Sequence, residues 1–374
     1  MVFLLTIYKY ILKFVYFFLK LIPTRKKQIL FLSRQTNEPS LDFKYLIDDI
    51  HKRYPDYKVI VKTKRLEKNN PIQIISYLFH PFVQMYYLAT SSVCVIDTFI
   101  IPVSCLKHKK SLRIIQIWHS LAAIKKFGYQ TLNTDKDKKI AKVMCMHKNY
   151  DAIVSGSNEM TKHFSKAFNY PESKFITCGL PRIDYLLDTE KDNKKKVYKE
   201  YPELKNKKIV LYVPTFRTYD EYKFEDIIDT YKDSDYTLII KKHERSKVDI
   251  DEKYTYPKVS SLELLSVADY VITDYSAIAV EASILNKPLY LYIYDLDLYN
   301  KYEGVNIDLY KELPGYVFED IKDIKKSMDK NNYDMKKLEK YRKKYVTNID
   351  GTSTKKLVDY IIGGKYEYKE KNKK

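Results

Sequence analysis

Short runs of branched apolar residues alternate with longer stretches in which apolar positions recur every three or four residues. The runs Gln28–Ser33, Lys58–Lys62, Val93–Asp97, Arg113–Trp118, Asp151–Ser155 and Lys174–Cys178 read as strands. Between them, Leu41–Arg53, Ile72–Ala89, Asp135–His147 and Asn158–Phe168 carry helical periodicity. A lysine-rich stretch from Lys191 to Lys208 reads as helix and linker, and a second series follows. Its strands are Ile209–Val213, Tyr236–Lys241, Tyr270–Thr273 and Pro288–Ile293, separated by helices Glu221–Tyr231, Leu262–Val267 and Ser276–Leu285. Strand–helix alternation predicts an α/β fold with parallel sheets covered on both faces, here two doubly wound domains at about 25–190 and 207–335 facing one cleft. Helices and a charged tail follow at 336–374, with Lys365–Lys374 expected to fray.

Before the first strand, residues 2–22 are almost wholly apolar apart from Lys9, Lys13 and Lys20. At ~100° per residue these lysines fall in one narrow stripe. An amphipathic helix of this kind can sink its broad apolar face into a bilayer while the lysines reach anionic headgroups. A spanning helix is the rival reading; it would hold Lys9 and Lys13 near mid-bilayer at roughly 2.5–3.5 kcal/mol each. A core helix of a soluble domain is the third. A cleaved signal peptide fits worse, because lysines interrupt the apolar run and no small-residue cleavage site follows.

Composition changes this picture in three ways. The net charge of +19 suits polyanionic partners, such as an anionic membrane face or a phosphate-rich substrate, and also suits a merely lysine-rich surface. The basic residues are spread along the chain with no nucleic-acid module, which argues against nucleic acid. With only 8 glycines and neither G-x-G-x-x-G nor a Walker motif, any phosphate site must rely on helix starts, hydroxyls and cations. Cys94, Cys105, Cys145 and Cys178 lack C-x-x-C spacing, and buried thiols are expected rather than disulfides or zinc.

In open α/β sheets ligands bind beyond the C-terminal ends of the strands, so residues just after strands are the candidates for chemistry. Two of the 7 histidines stand there: His119 ends RIIQIWH and His243 ends YTLIIKKH. An imidazole so placed can take a proton from an attacking hydroxyl or stabilise phosphate charge. In ADYVITDYSAIAVEASILNKP a strand runs into Asp274, Tyr275 and Ser276. Ser276 is expected to cap a helix whose first N–H groups, from Ala277 and Ile278, would receive a diphosphate. Glu281 lies in that helix, within reach of a ribose hydroxyl. Arg217, closing PTFR, is expected to fork onto phosphate oxygens. Lys125 and Lys126 add positive charge beyond His119. Asp-x-Asp occurs at 135–137, 249–251 and 295–297, weak grounds for a metal in a chain so rich in aspartate; no metal or cofactor is called for.

The segments IWHSLAAIKKFGY, SGSNEMTKHFSKAFNY, CGLPRIDYL, VLYVPTFR, IIKKHE and SVADYVITDYSAIAVEASILNKP, in this order over about residues 90–345, resemble the CDP-glycerol glycerophosphotransferases of teichoic acid and capsule synthesis. The resemblance implies a GT-B-like pair of Rossmann domains and an N-terminal membrane-associating region. It also implies a CDP-glycerol or CDP-ribitol donor and an undecaprenyl-diphosphate-linked acceptor at the cytoplasmic face of the membrane. His119 and His243 then match the family's two functional histidines, with Arg217, Ser276 and Glu281 toward the donor. The chain departs from the pattern at Ser120 (usually glycine), Glu244 (commonly proline), Ala277 (usually a second serine) and Glu303 (frequently arginine). A nucleotide-sugar glycosyltransferase and a basic membrane-docked scaffold are the alternatives.

Overall fold

A computed structural model describes residues 2–65, 71–219, 222–243 and 245–365, with backbone only for 71–75. Glu221, Glu244 and the tail beyond Lys365, which figure in the expectations above, lie outside the described residues. The chain divides into two compact units.

The first unit takes in the chain up to Ser120, then Gly128–Arg182, and the segment from Thr352 onward. Its strands are β1 (Arg25–Ser33), β2 (Lys58–Thr63), β3 (Ser91–Ile96), β4 (Arg113–Gln116), β5 (Ala152–Val154) and β6 (Phe175–Ile176). They form one sheet in the order β2-β1-β3-β4-β5-β6, every pairing parallel. Ile29–Leu32 are fully buried, as strands covered on both faces require. The helices are α1 (Val2–Leu19), α2 (Leu41–Arg53), α3 (Pro71–Thr90), α4 (Ile101–Cys105), α5 (Asp135–Val143) and α6 (Asn158–Phe168). Ser40 and Ser157 start α2 and α6 by accepting N–H groups of the first turn.

Helix α7 (Pro181–Glu200) begins ten residues before the predicted Lys191, with proline opening it where its missing N–H costs nothing. The second unit comprises Leu121–Phe127 and Ile183–Gly351. Its strands β7 (Lys208–Val213), β8 (Tyr236–Ile240), β9 (Tyr270–Thr273), β10 (Leu289–Tyr292) and β11 (Val317–Phe318) form a parallel sheet ordered β11-β10-β9-β7-β8. Around them lie α8 (Phe224–Tyr231), α9 (Ser261–Leu265), α10 (Ile278–Ile284), α11 (Leu296–Tyr302), α12 (Leu309–Glu312), α13 (Ile321–Asp329) and α14 (Met335–Tyr345). Many of the tyrosines lie in this unit's core: Tyr212, Tyr231, Tyr275, Tyr290 and Tyr292 are buried, and the hydroxyls of Tyr231 and Tyr275 donate to Met328 Sδ and Asp295.

The boundaries thus differ from 25–190 and 207–335: the second unit starts at Ile183, runs on to Gly351 and takes in Leu121–Phe127. Leu121–Phe127 joins the second unit through Asn306 N–H to Ile124 O (2.7 Å) and Lys126 N–H to Gly304 O (2.9 Å). The last helix, α15 (Ser353–Gly363), joins the first unit, where Asp359 pairs with Arg53 of α2.

Helix α1 refines the expectation for residues 2–22. Only Leu12 and Tyr16 are buried, while Phe3, Leu4, Ile7, Tyr10, Ile11, Phe14, Phe17, Phe18 and Leu21 stand exposed. Lys9, expected to reach headgroups, instead donates to the Val143 carbonyl of α5 at 2.8 Å, and Tyr16 bonds His108 at 2.9 Å. Lys9 and Tyr16 therefore fasten the helix to its own unit, and the apolar face is left outward. The helix is long and apolar enough to cross a membrane. All four cysteines are free thiols, and Cys145 alone is partly exposed.

Candidate active site

Each sheet reverses its strand order once, and the crevice at that point is where open α/β sheets bind ligands. In the first unit the reversal lies at β1 and β3; in the second, at β7 and β9.

In the first unit, the residues following β1, β3 and β4 converge. Trp118 adopts a left-handed backbone (φ 56°), a strain of about 1–3 kcal/mol for a bulky residue. Its N–H is held by the Gln116 side chain at 2.8 Å, and its indole packs edge-on against Phe168. That turn swings His119 off the strand end and lays its ring on the indole, centroids 4.1 Å apart. His119 Nδ1 stands 3.1 Å from the Asp97 carbonyl oxygen, which only accepts, so Nδ1 carries the hydrogen in the neutral ring and Nε2 keeps its lone pair. The Gln35 amide flanks the same ring, 3.2 Å from Nδ1 and 3.4 Å from Nε2. Beneath lies the Asp97 carboxyl, fully enclosed, with neither oxygen hydrogen-bonded among the described residues. Burial pushes it up to about 7, the neighbouring Ser33 hydroxyl opposing and the Asp42 charge adding to the rise.

In the second unit, Arg217 stands where the reversal predicts a ligand contact, yet its guanidinium is turned inward and wholly buried. Nη1 donates to Asp274 (2.9 Å) and to the Thr215 carbonyl (3.0 Å); Nε and Nη2 fork onto Asp295 at 2.5 and 3.0 Å. Asp274 also accepts the N–H groups of Thr215 and Tyr275, and Asp295 accepts the hydroxyls of Tyr219 and Tyr275. Burial opposes the arginine's charge, but the two carboxylates carry its pKa above the ordinary value. Burial likewise works to raise Asp295, and Arg217 and the two tyrosines hold it below its usual range. In place of the expected fork onto phosphate, the described donors of Arg217 lie on two carboxylates and the Thr215 carbonyl. Asp274, grouped with the phosphate contacts, is likewise a strut tying the loops after β7 and β9 together.

The helix after β9 also differs from expectation. It opens at Ile278, with Ala277 as N-cap, and the Ser276 hydroxyl accepts the Ile278 N–H at 3.4 Å. Ser276 and Ala277 are partly exposed, and Glu281 is buried in the first turn. His243, three residues past β8, accepts the Arg245 N–H on Nδ1 at 3.2 Å, which puts the neutral ring's hydrogen on Nε2. Its ring lies 5.4 Å from that of Phe216, so it neighbours the Arg217 loop. Exposed Lys126 is seated by Gly304, whose backbone (φ 85°) leaves no room for a Cβ: one would stand 2.8 Å from the lysine Cδ. Lys125 sits near Asp274, Glu303, Arg217 and Arg245; burial lowers its pKa and the two carboxylates oppose that.

Sequence reasoning missed Asp97 and Gln35, although both follow strands as His119 does. It weighed Asp295 only as part of a metal motif; among the described residues no group of three metal-ligating side chains occurs.

Comparisons with known proteins give the family and the fold. The profile of the CDP-glycerol:poly(glycerophosphate) glycerophosphotransferase family matches residues 14–363. The chain is 27% identical to a teichoic acid ribitol-phosphate primase of Bacillus spizizenii, covering 91% of this chain and 92% of that protein. It is 28% identical to a teichoic acid glycerol-phosphate primase of Bacillus subtilis, covering 95% and 96%. In fold it is similar to the wall teichoic acid polymerase TagF, with a TM-score of 0.70 at 20% identity over 91% of this chain and 89% of that one. The chain belongs to the CDP-glycerol:poly(glycerophosphate) glycerophosphotransferase family and is a polyol-phosphate transferase of the teichoic acid type, built on a GT-B-like fold.

Proposed function

We propose that the enzyme moves glycerol phosphate from CDP-glycerol, or ribitol phosphate from CDP-ribitol, to a hydroxyl of an undecaprenyl-diphosphate-linked acceptor, releasing CMP. The observation that carries this reading is the placement of two strand-end histidines, each held through Nδ1: His119 Nδ1 stands 3.1 Å from the Asp97 carbonyl oxygen, and His243 Nδ1 accepts the Arg245 N–H at 3.2 Å. The acceptor oxygen attacks the donor's distal phosphorus and its proton passes to His119. The phosphorus–oxygen bond to CMP breaks, and CMP leaves with the bonding electrons. His243 donates to the diphosphate as charge builds on it, with the Ser276 hydroxyl, the Ala277 N–H and Lys126 as further donors. Glu281 is assigned to the ribose. Arg217 and Asp274 act through position, holding the loops that present these groups.

Membrane association at the cytoplasmic face is part of the proposal. The outward apolar face of α1, with the exposed Leu78, Phe79 and Val83 of α3, supports a peripheral mode in which both helices enter the headgroup boundary.

The test is CMP release from each CDP-polyol by wild-type, His119→Ala and His243→Ala proteins that stay folded. Each variant is expected to lose roughly 10²- to 10⁴-fold. Near-normal turnover in both would remove the mechanism. Turnover of UDP- or GDP-sugars in place of CDP-polyols would move the enzyme to the glycosyltransferases, and mass spectrometry of the product identifies the polyol.

A further inference from the structure

One cluster of cations in the first unit takes no part in the mechanism above. Beyond the ends of β1 and β2, Arg34 and Lys64 line a small hollow whose other wall is α3, with Tyr77, His80 and Gln84. Lys62 stands close enough to act on His80. Among the described residues no carboxylate pairs with Arg34, Lys62 or Lys64. Arg34 rests on the Phe99 ring at 5.7 Å, Lys62 on the Tyr87 ring at 5.2 Å, and Lys64 donates to the Ser76 hydroxyl. His80 lies beside the Lys62 backbone, and among the described residues its buried Nε2 has no partner. Arg34, Lys62 and Lys64, without a carboxylate partner among the described residues, form a cationic rim that suits an anion, and His80 Nε2 adds a donor to it once protonated. Burial and the two lysines push the imidazole down to about 4, the mutual repulsion of a site without its counter-charge.

Two neighbouring features say what kind of anion. Leu78, Phe79 and Val83, on the helix that carries His80, are exposed, and α3 packs against α1, whose outer face is apolar. On the other side, Arg34 is followed directly by Gln35, whose amide touches the His119 ring. A ligand filling the hollow therefore has an apolar surface on one flank and the proposed base on the other. Pro81, inside α3, supplies no N–H to the Tyr77 carbonyl, which loosens the helix where the hollow opens.

We infer that this hollow seats the phosphate or diphosphate head of a lipid-borne acceptor, with its apolar chain laid over the exposed face of α3 and α1 and its acceptor hydroxyl directed past Gln35 to His119. The inference rests on the transferase reading above and adds to it the acceptor's head-group site. Arg34 and Lys64 clamp the anion's oxygens, and its charge lets His80 hold a proton on Nε2 and donate it.

The experiment compares the wild-type enzyme with Arg34→Gln/Lys64→Gln, using farnesyl diphosphate in phosphatidylcholine vesicles as the probe. Binding of phosphatidylglycerol vesicles and of CMP is measured alongside. The double variant is expected to bind the lipid diphosphate at least tenfold more weakly, and to bind phosphatidylglycerol vesicles and CMP within about twofold of wild type. Its KM for a lipid-linked acceptor should rise by a similar factor while the KM for the CDP-polyol holds, and Arg34→Lys/Lys64→Arg should restore most of both. Lipid-diphosphate affinity within twofold of wild type would overturn the inference, as would an equal loss on phosphatidylglycerol vesicles, which would make the cluster a general anionic-surface contact. Wild-type enzyme that releases no CMP from any CDP-polyol defeats the transferase reading instead, so the two failures are distinguishable.

Discussion

The two sheet crevices are built on opposite principles. After β7 and β9, every nitrogen of the Arg217 guanidinium and both carboxylates of its partners are hydrogen-bonded within the protein. Around β1 and β3 polar atoms are left wanting: among the described residues neither oxygen of the buried Asp97 carboxyl is hydrogen-bonded, and Nε2 of His80 on α3 likewise lacks a partner. The satisfied crevice is a rigid frame, and the proposed mechanism leaves its chemistry to groups on its rim, His243, Ser276 and Lys126. The unsatisfied crevice stores its capacity for partners in the interior itself. Rigidity for a small, fixed donor and open polar capacity for a bulky acceptor is the division of labour this contrast suggests.

Breaking the frame should give the largest effect on stability. Arg217→Ala leaves two buried carboxylates without their cation and is expected to cost about 3–5 kcal/mol in chemical denaturation. A loss under 1 kcal/mol would mean that the network is hydrated and no frame.

The acceptor-side crevice is sharpened by pH. Because the folded Asp97 carboxyl titrates near 7 against 3.8 in the reference state, the native protein holds a proton there that the unfolded chain releases. Stability from this group is present below pH ~4 and drains away as pH rises toward 7, by at most roughly 4 kcal/mol. Asp97→Asn should flatten that slope, and an unchanged slope would show that the carboxyl is solvated. A smaller effect separates the crevices again: Tyr275→Phe removes one neutral-to-charged hydrogen bond on Asp295 and should cost about 1.5–3 kcal/mol. Smaller still in stability, Phe14→Ser/Phe17→Ser should leave the melting temperature almost unmoved yet weaken vesicle binding at least tenfold, because both side chains are exposed.

The strands and the residues at their ends were legible because a parallel sheet writes itself as short apolar runs, and both histidines follow such runs directly. What the pattern hid was direction and partnership. PTFR shows an arginine after a strand, but nothing local says that its fork closes on Asp295, 78 residues later. The three lysines of α1 lie on one stripe as read, yet only the packing of α5 decides that Lys9 turns inward. Ser276 looks like a helix cap from its neighbours, and the helix begins two residues on because Tyr275 is drawn into the Asp274 and Asp295 network. Short elements such as α4 and β11 have too few residues to show a period, and Leu121–Phe127 joins the other unit through backbone bonds that side-chain pattern does not record.

The assignment of the two crevices is tested most directly by titrating CDP-glycerol or CDP-ribitol calorimetrically into His119→Ala and His243→Ala. His119→Ala should bind the donor within about threefold of wild type while failing to transfer, and His243→Ala should bind it at least tenfold more weakly. Donor affinity lost in His119→Ala and kept in His243→Ala would contradict the account.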